Sequence, residues 1–476
     1  MGQKDAVVLG AGITGLATAW QLAKAGWKVT VLEKGQQVGG LAGTTDWDGW
    51  RFDFGAHCFH TRDESITALY KELLGDRFRP VTPTVKLHIF GRFVAYPLVG
   101  ADIFFVLNST TMVKAAIDFL LSRVKARLFG FRKTERLDEW IIARFGRVLY
   151  DVYFAHYIER IQKTDPKDLS KDLGEKKIPI FSILRYLQRE LFGQRNLDDV
   201  TTLEYFYVKG GYGEIAAALR DAIVALGGQV NAGEPVERIE ITDGEAVSIT
   251  TTKSTYACAG SAVVSTVPLG VLVRAMDCGQ SVIDAQAALR SARMRFLLVK
   301  VNRSRVMGYR WVNVSEIRYP FYRVSEYCHD EFAVVPEGKC SLMFELPLKE
   351  SDRLWSVSDQ ELAETVLPLF NELFTLAPSS VIGVRTTFAE HANPIMSLGY
   401  REALLRTFEH IDGIQNVHSI GRQGLFTYVN IDGCTKMGMD LAAGLIRGEG
   451  KSVNRAMLER VHGLTFGSRG REGSVS

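Results

Sequence analysis

An apolar run at residues 6–9 breaks into Gly10-Ala11-Gly12-Ile13-Thr14-Gly15, and no other feature constrains the chain as much. Residues 16–25 have helical composition, and residues 28–32 read as a second strand that ends on Glu33. Strand, glycine turn, helix and second strand in this register predict an α/β unit that binds a dinucleotide. Gly10 permits the turn, Gly12 lets a pyrophosphate approach, and Gly15 lets the helix pack on the strand. The helix N-terminus, with Thr14 in its first turn, offers N–H groups and a partial positive charge to phosphates. Glu33, followed by Lys34, stands where a carboxylate accepts hydrogen bonds from both ribose hydroxyls and repels a 2′-phosphate.

The rest of the composition narrows the class. The 476 residues carry 57 Lys and Arg against 54 Asp and Glu, which excludes an overall basic nucleic-acid binder and an acidic disordered chain. Cys58, Cys258, Cys278, Cys328, Cys340 and Cys434 lack metal-binding or CxxC spacing, so reduced thiols, no metal and a cytoplasmic setting are expected. The polar start runs directly into the first strand, unlike a secretory leader. Asn108, Ser109, Lys114 and Asp118 interrupt the most apolar later segment, residues 101–121, so no transmembrane segment is expected. The basic residues Arg123, Lys125, Arg127, Arg132 and Lys133 read as a solvated face, with a weak peripheral membrane contact as the alternative.

Along the chain the character changes twice. Residues 101–203 are predominantly helical in pattern, and strands return afterwards at 229–240, 246–252, 262–266, 296–301 and 341–346. Helices are expected at 214–226, 359–374 and 434–446, and a strand at 417–420 precedes Gly421-Arg422. The cofactor domain is therefore expected in three pieces, 1–100, 206–275 and 411–465. A helical insertion at 101–205, a substrate-binding sheet domain at 276–410 and a disordered tail at 466–476 account for the rest.

Val38-Gly39-Gly40-Leu41-Ala42-Gly43-Thr44 resembles the second glycine signature of the FAD superfamily that includes amine oxidases, protoporphyrinogen oxidase, phytoene desaturase and UDP-galactopyranose mutase. The resemblance implies a Rossmann-like FAD-binding domain with a helical insertion and a mixed-sheet substrate domain. It implies an FAD pyrophosphate passing beside Gly40, Leu41 and Ala42. Gly55-Ala56-His57-Cys58-Phe59-His60 resembles the segment that lies against the flavin ring in UDP-galactopyranose mutases, which implies flavin contacts from Gly55, Ala56 and His57. Val236 resembles the residue whose backbone meets the adenine, and Gly421, Arg422, Met437 and Gly438 the closing motif beside the flavin.

Tyr322-Arg323 and the run from Gly421 to Tyr428 look like the mutase segments whose arginines clamp a sugar-nucleotide diphosphate. This implies substrate contacts from Tyr322, Arg323, Arg422, Tyr428 and Asn430, with His57, Arg323 and Arg422 as the catalytic set. Two arginines beside aromatic rings independently suit a diphosphate, because guanidinium binds phosphate in a forked geometry and stacks on rings. Tyr96-Pro97-Leu98 and residues 140–157 are expected to line or support the substrate side, or to pack in the core. Two reactions stay open: pyranose–furanose isomerisation of a nucleotide sugar on reduced FAD, with NAD(P)H a possible reductant, and oxidation of a small molecule. A scaffold that keeps FAD only as a structural element is the third alternative.

Overall fold

The computed structural model describes residues 4–96, 107–131, 133–177, 204–328, 332 and 334–464. The chain divides into two compact units. The first comprises Met1–Ala42, Ile215–Leu289 and Gly399–Ser476, and the second Gly43–Glu214 and Arg290–Leu398. The first unit is assembled from three pieces of chain, with other bounds than those expected from the sequence. Residues from Gly43 onward belong to the second unit because the strands Val85–Ile89 and Arg92–Ala95 pair into its sheet. The helices Gln280–Ala287 and Tyr400–Asp412, expected in the substrate domain, pack together in the first unit.

The first unit is built on a five-stranded parallel sheet in the order Val417–Ser419, Ala262–Ser265, Asp5–Leu9, Lys28–Glu33, Gln229–Ala232. Its central strands are nearly continuous apolar runs, as expected for a parallel sheet covered on both faces. Residues 229–240 are not one strand. Gln229–Ala232 closes the parallel sheet, and Val236–Thr242 starts a separate three-stranded antiparallel sheet. The helices Ile13–Lys24 and Ile431–Arg447 cross closely, which the small residues at the crossing permit.

The second unit contains a seven-stranded mixed sheet in the order Val381–Pro394, Ser291–Val301, Cys340–Leu348, Arg323–Cys328, Trp311–Val314, Val85–Ile89, Arg92–Ala95. Side chains alternate along each strand. One set, including Leu297, Val299, Val324, Leu342 and Phe344, forms a core with Leu362, Val366 and Phe370 of the helix Asp359–Asn371. The other set includes Asn313, Arg323, Ser325, Tyr327, Ser341 and Glu345, so polar groups occupy neighbouring positions on three strands. The glycine-rich stretch from Gly35 to Gly49 contains a turn at Gly40–Ala42 and the strand Thr44–Trp47, which pairs with Trp50–Asp53.

Between Ser109 and Lys177 the second unit is helical, in line with the pattern; the rest of the expected helical stretch, at 178–203, lies outside the described residues, as do Pro97, Leu98, Arg132 and the tail 466–476. Among the described residues, no helix is long and apolar enough to cross a membrane, and no cluster of His, Cys, Asp and Glu could hold a metal ion.

Candidate active site

In the first unit the opening turn converges with two distant segments. A Cβ on Gly15 would stand 2.0 Å from the Gly10 carbonyl, so only glycine allows the helix to sit this close to the strand. Gly12 is different: a Cβ there meets nothing within 4 Å, leaving open the space through which the sequence expects a pyrophosphate. The first bond of the helical ladder runs from Leu16 N–H to Gly12 O, so the preceding N–H groups lie ahead of it. No side chain caps this N-terminus. Glu33 accepts hydrogen bonds from Ala11 N–H and Gly35 N–H, both at 2.8 Å, which fixes its carboxylate beside the turn. Gly39 N–H donates to Ala11 O at 2.8 Å and brings the second glycine segment alongside.

The late motif joins the same turn. A Cβ on Gly421 would lie 2.8 Å from Thr14 Oγ1, and one on Gly438 would lie 2.6 Å from Thr14 O. Gly438 therefore serves helix packing. Gly438 and the buried Met437 lie inside the helix Ile431–Arg447, which starts three residues before the expected Cys434. Its N-terminal turn follows Asn430, whose carbonyl accepts Cys434 N–H at 2.9 Å. Arg422 donates to Val429 O at 3.1 Å, and its guanidinium lies 4.5 Å from the centre of the Tyr428 ring. Tyr428 and Lys34 are exposed. Val236 is tied in indirectly, since Glu234 N–H donates to Glu33 O at 2.8 Å.

In the second unit the polar face of the sheet carries a network around Glu345, which sequence reasoning did not find. Glu345 is buried. Its Oε2 accepts Tyr322 O–H at 2.6 Å, and its Oε1 accepts Ala56 N–H at 3.2 Å and Arg323 Nη1 at 3.3 Å. Arg323 Nε donates to Asn313 Oδ1 at 2.9 Å, so two side chains fix the guanidinium plane. Burial alone would lower the Arg323 pKa. The Glu345 carboxylate, then Tyr322, Tyr157 and Tyr96, reverse that and hold it above the ordinary arginine range, so the charge is permanent. A lone acid within the apolar strand run Cys340–Leu348 was the available signal for Glu345.

The segment Gly55-Ala56-His57 is held from two further directions. Gly55 has φ +118°, a conformation reserved for glycine, and its carbonyl accepts Tyr327 O–H at 2.9 Å. The buried Asp53 just before it accepts Tyr207 O–H at 2.5 Å, Thr44 Oγ1 at 2.6 Å and Tyr212 N–H at 2.9 Å. Tyr212 in turn stacks on the His57 ring, with centroids 4.6 Å apart. The expected Tyr322, Arg323, Gly55 and Ala56 thus come together around Glu345.

Aromatics from the helical region complete the surroundings. Burial pushes the Tyr157 phenol well above its usual pKa, and the neighbouring Tyr96 and Tyr153 add to this while Arg323 opposes it. Tyr157 is thus a neutral hydrogen-bond donor. Trp140 belongs to the core: it is 2% exposed and packs on Gly174 and the Arg144 guanidinium. Arg160 fixes the turn before Arg323 by donating to Glu316 O at 2.5 Å, to Tyr319 O at 2.6 Å and to Phe321 O.

The glycine turn, parallel sheet and Glu33 of the first unit define a dinucleotide-binding protein of the doubly wound class. The model of the flavin-containing amine oxidoreductases matches residues 13–295, more than half of the chain, and the chain belongs to that family. FAD is the cofactor this family implies, and the open space at Gly12, the uncapped helix and the fixed carboxylate of Glu33 fit it. One of the limonene dehydrogenase subunits of Castellaniella defragrans is 26% identical over 281 residues, covering 52% of this chain and 48% of the relative. Phytoene desaturase of Fusarium fujikuroi is 51% identical over 53 residues, 11% of this chain and 9% of the relative. The chain thus matches at most about half the length of these curated relatives. A crystal structure of reduced UDP-galactopyranose mutase shares the fold, with a TM-score of 0.80, 20% identity, and coverage of 96% of this chain and 99% of that one.

Proposed function

We propose that this FAD-dependent enzyme isomerises a nucleoside-diphosphate sugar between ring forms, as a UDP-galactopyranose mutase-like protein of the cytoplasm. The observation that carries the reading is Arg323, a permanently charged guanidinium held by Asn313 and Glu345 beside the Gly55-Ala56-His57 segment. A fixed cation suits an anionic substrate. It repels an amine, and a hydrocarbon placed against it would strip its hydration without replacing it.

Gly12, Thr14, Glu33, Gly40 and the turn at Gly421 are assigned to holding FAD, with Val236 at the adenine end and Gly55, Ala56 and His57 at the flavin. When bound and reduced, FAD supplies the nucleophilic ring nitrogen that such an isomerisation requires. Arg323 binds the diphosphate and stabilises the charge it gains on leaving. Arg422, steadied by Val429 O and the Tyr428 ring, is assigned to binding a phosphate oxygen. Tyr157, as a neutral phenol, donates a hydrogen bond to a substrate oxygen, while Tyr322 gives its O–H to Glu345 and keeps its ring beside the Arg323 guanidinium. His57 holds or releases a proton at the flavin edge, the imidazole being the side chain that titrates nearest neutrality.

Oxidation of an apolar substrate is the second reading, favoured by the sequence likeness to a phytoene desaturase and to part of a limonene dehydrogenase. The two separate in one experiment. The purified flavoprotein is reduced with dithionite, or with NAD(P)H, under anaerobic conditions and offered a panel of UDP-, GDP- and dTDP-sugars. Ring-isomerised product formed only by the reduced enzyme supports the mutase. Stoichiometric flavin reduction by a polyene or terpene, with no sugar turnover, establishes the oxidoreductase instead.

A further inference from the structure

The helix Ser109–Phe129 has two apolar faces, and among the described residues only one of them is covered. Ala115 and Phe119 are buried on the inner face. At about 100° per residue, Val113, Ile117, Leu120, Leu121, Val124 and Leu128 share a stripe roughly 100° wide on the opposite side. Each of these six is more than half exposed. Phe129, 84% exposed, extends the apolar surface at the C-terminal end. The stripe runs for about 22 Å along the helix, far more than the scattered single apolar residues normal for a soluble surface.

The flanks specify the partner. Lys114 and Lys125 border one edge of the stripe, and Arg123 and Arg127 the other. Asp118, the one acid in the helix, is turned to Val148 N–H, which donates to its Oδ2 at 2.8 Å. An apolar stripe between two rows of cations fits a bilayer surface rich in anionic headgroups. The aliphatic side chains enter the acyl boundary while the Lys and Arg heads stay at the phosphates. A second copy of this helix fits poorly, because pairing stripe to stripe brings the cationic rows together. The helix does not meet the length and apolarity needed to cross a membrane.

We infer that the Ser109–Phe129 helix docks this enzyme in the plane of an anionic membrane surface. The inference is independent of the reaction catalysed. The test is flotation of the full-length flavoprotein with vesicles of pure phosphatidylcholine and of phosphatidylcholine containing roughly a third phosphatidylglycerol. Binding to the anionic vesicles is expected to exceed binding to the neutral ones at least tenfold, and to weaken with salt. V124E/L128E abolishes flotation with unchanged FAD content, and the charge-neutral K114Q/K125Q/R127Q, which leaves the apolar side chains in place, weakens it at least tenfold. Failure of the native protein to float with anionic vesicles overturns the inference. So does flotation that neither variant reduces. A dimer in sedimentation that V124E/L128E converts to monomer, without vesicle binding by the native protein, assigns the stripe to a second copy instead; retention by an acidic protein alone assigns it to a protein partner.

Discussion

Glu345 Oε1 accepts the backbone N–H of Ala56 at 3.2 Å, linking the interior strand Cys340–Leu348 to the glycine segment that begins at Gly55. The same oxygen meets Arg323 Nη1 at 3.3 Å, so one buried carboxylate sets the position of both a backbone segment and a cation. E345Q keeps the shape and removes the charge. Its turnover is expected to fall at least tenfold while bound FAD per chain is unchanged. E345A leaves Arg323 without its counter-ion and is expected to cost about 3–5 kcal/mol in chemical denaturation. Unaltered turnover in E345Q removes Glu345 from the site.

Arg323 is predicted to carry the affinity for the diphosphate. R323A should weaken binding of a nucleoside diphosphate by about 2 kcal/mol or more, roughly thirtyfold, measured calorimetrically on the reduced holoenzyme. R323K should not restore it, because a lysine cannot satisfy Asn313 and Glu345 together while presenting a planar fork. Full affinity in R323A would remove the clamp from the mechanism.

Three glycines that look alike in sequence are expected to respond differently. G12A places a methyl group in open space at φ −72° and should leave the apoprotein's melting temperature unchanged while lowering FAD retention. G15A pushes a Cβ against Gly10 O and should prevent accumulation of folded protein. G438A forces two helices apart and should cost about 1–3 kcal/mol. A G12A protein that retains FAD as well as the native chain would show that no phosphate passes Gly12.

One carboxylate sets an acid limit. Burial alone would raise the Glu316 pKa, but the His88 ring at 2.8 Å and the Gly91 N–H outweigh it and lower it from 4.5 to about 2. Because the folded value is depressed, the stabilisation is complete above pH 4.5 and disappears as pH falls towards 2. The stability difference between the native protein and E316Q should therefore shrink across that window. A difference constant with pH would show that Glu316 is not ionically held.

The strand-turn-helix-strand opening was legible because its signals are local. Gly10, Gly12, Gly15 and Glu33 act within a few turns of chain, where backbone sterics and hydropathy fix the outcome. Asn313 and Glu345 were not legible. Their significance depends on strand register, which places Arg323 opposite both Asn313 and Glu345. The helical composition of residues 109–129 was readable, but the uncovered apolar stripe was not, since nothing in the sequence says which face finds a partner.

The sequence alone thus determined the dinucleotide turn, the acid after the second strand, and the positions of the arginines and of His57. Those are properties of residue type and near-neighbour spacing. Tertiary structure decided that Glu345 holds Arg323 and Ala56, that Gly438 spaces two helices, and that the chain leaves its first compact unit at Ala42. The physical reason is that hydrogen-bond partners and buried surface are shared between segments hundreds of residues apart. Their pairing is fixed only when the strands align and the core closes.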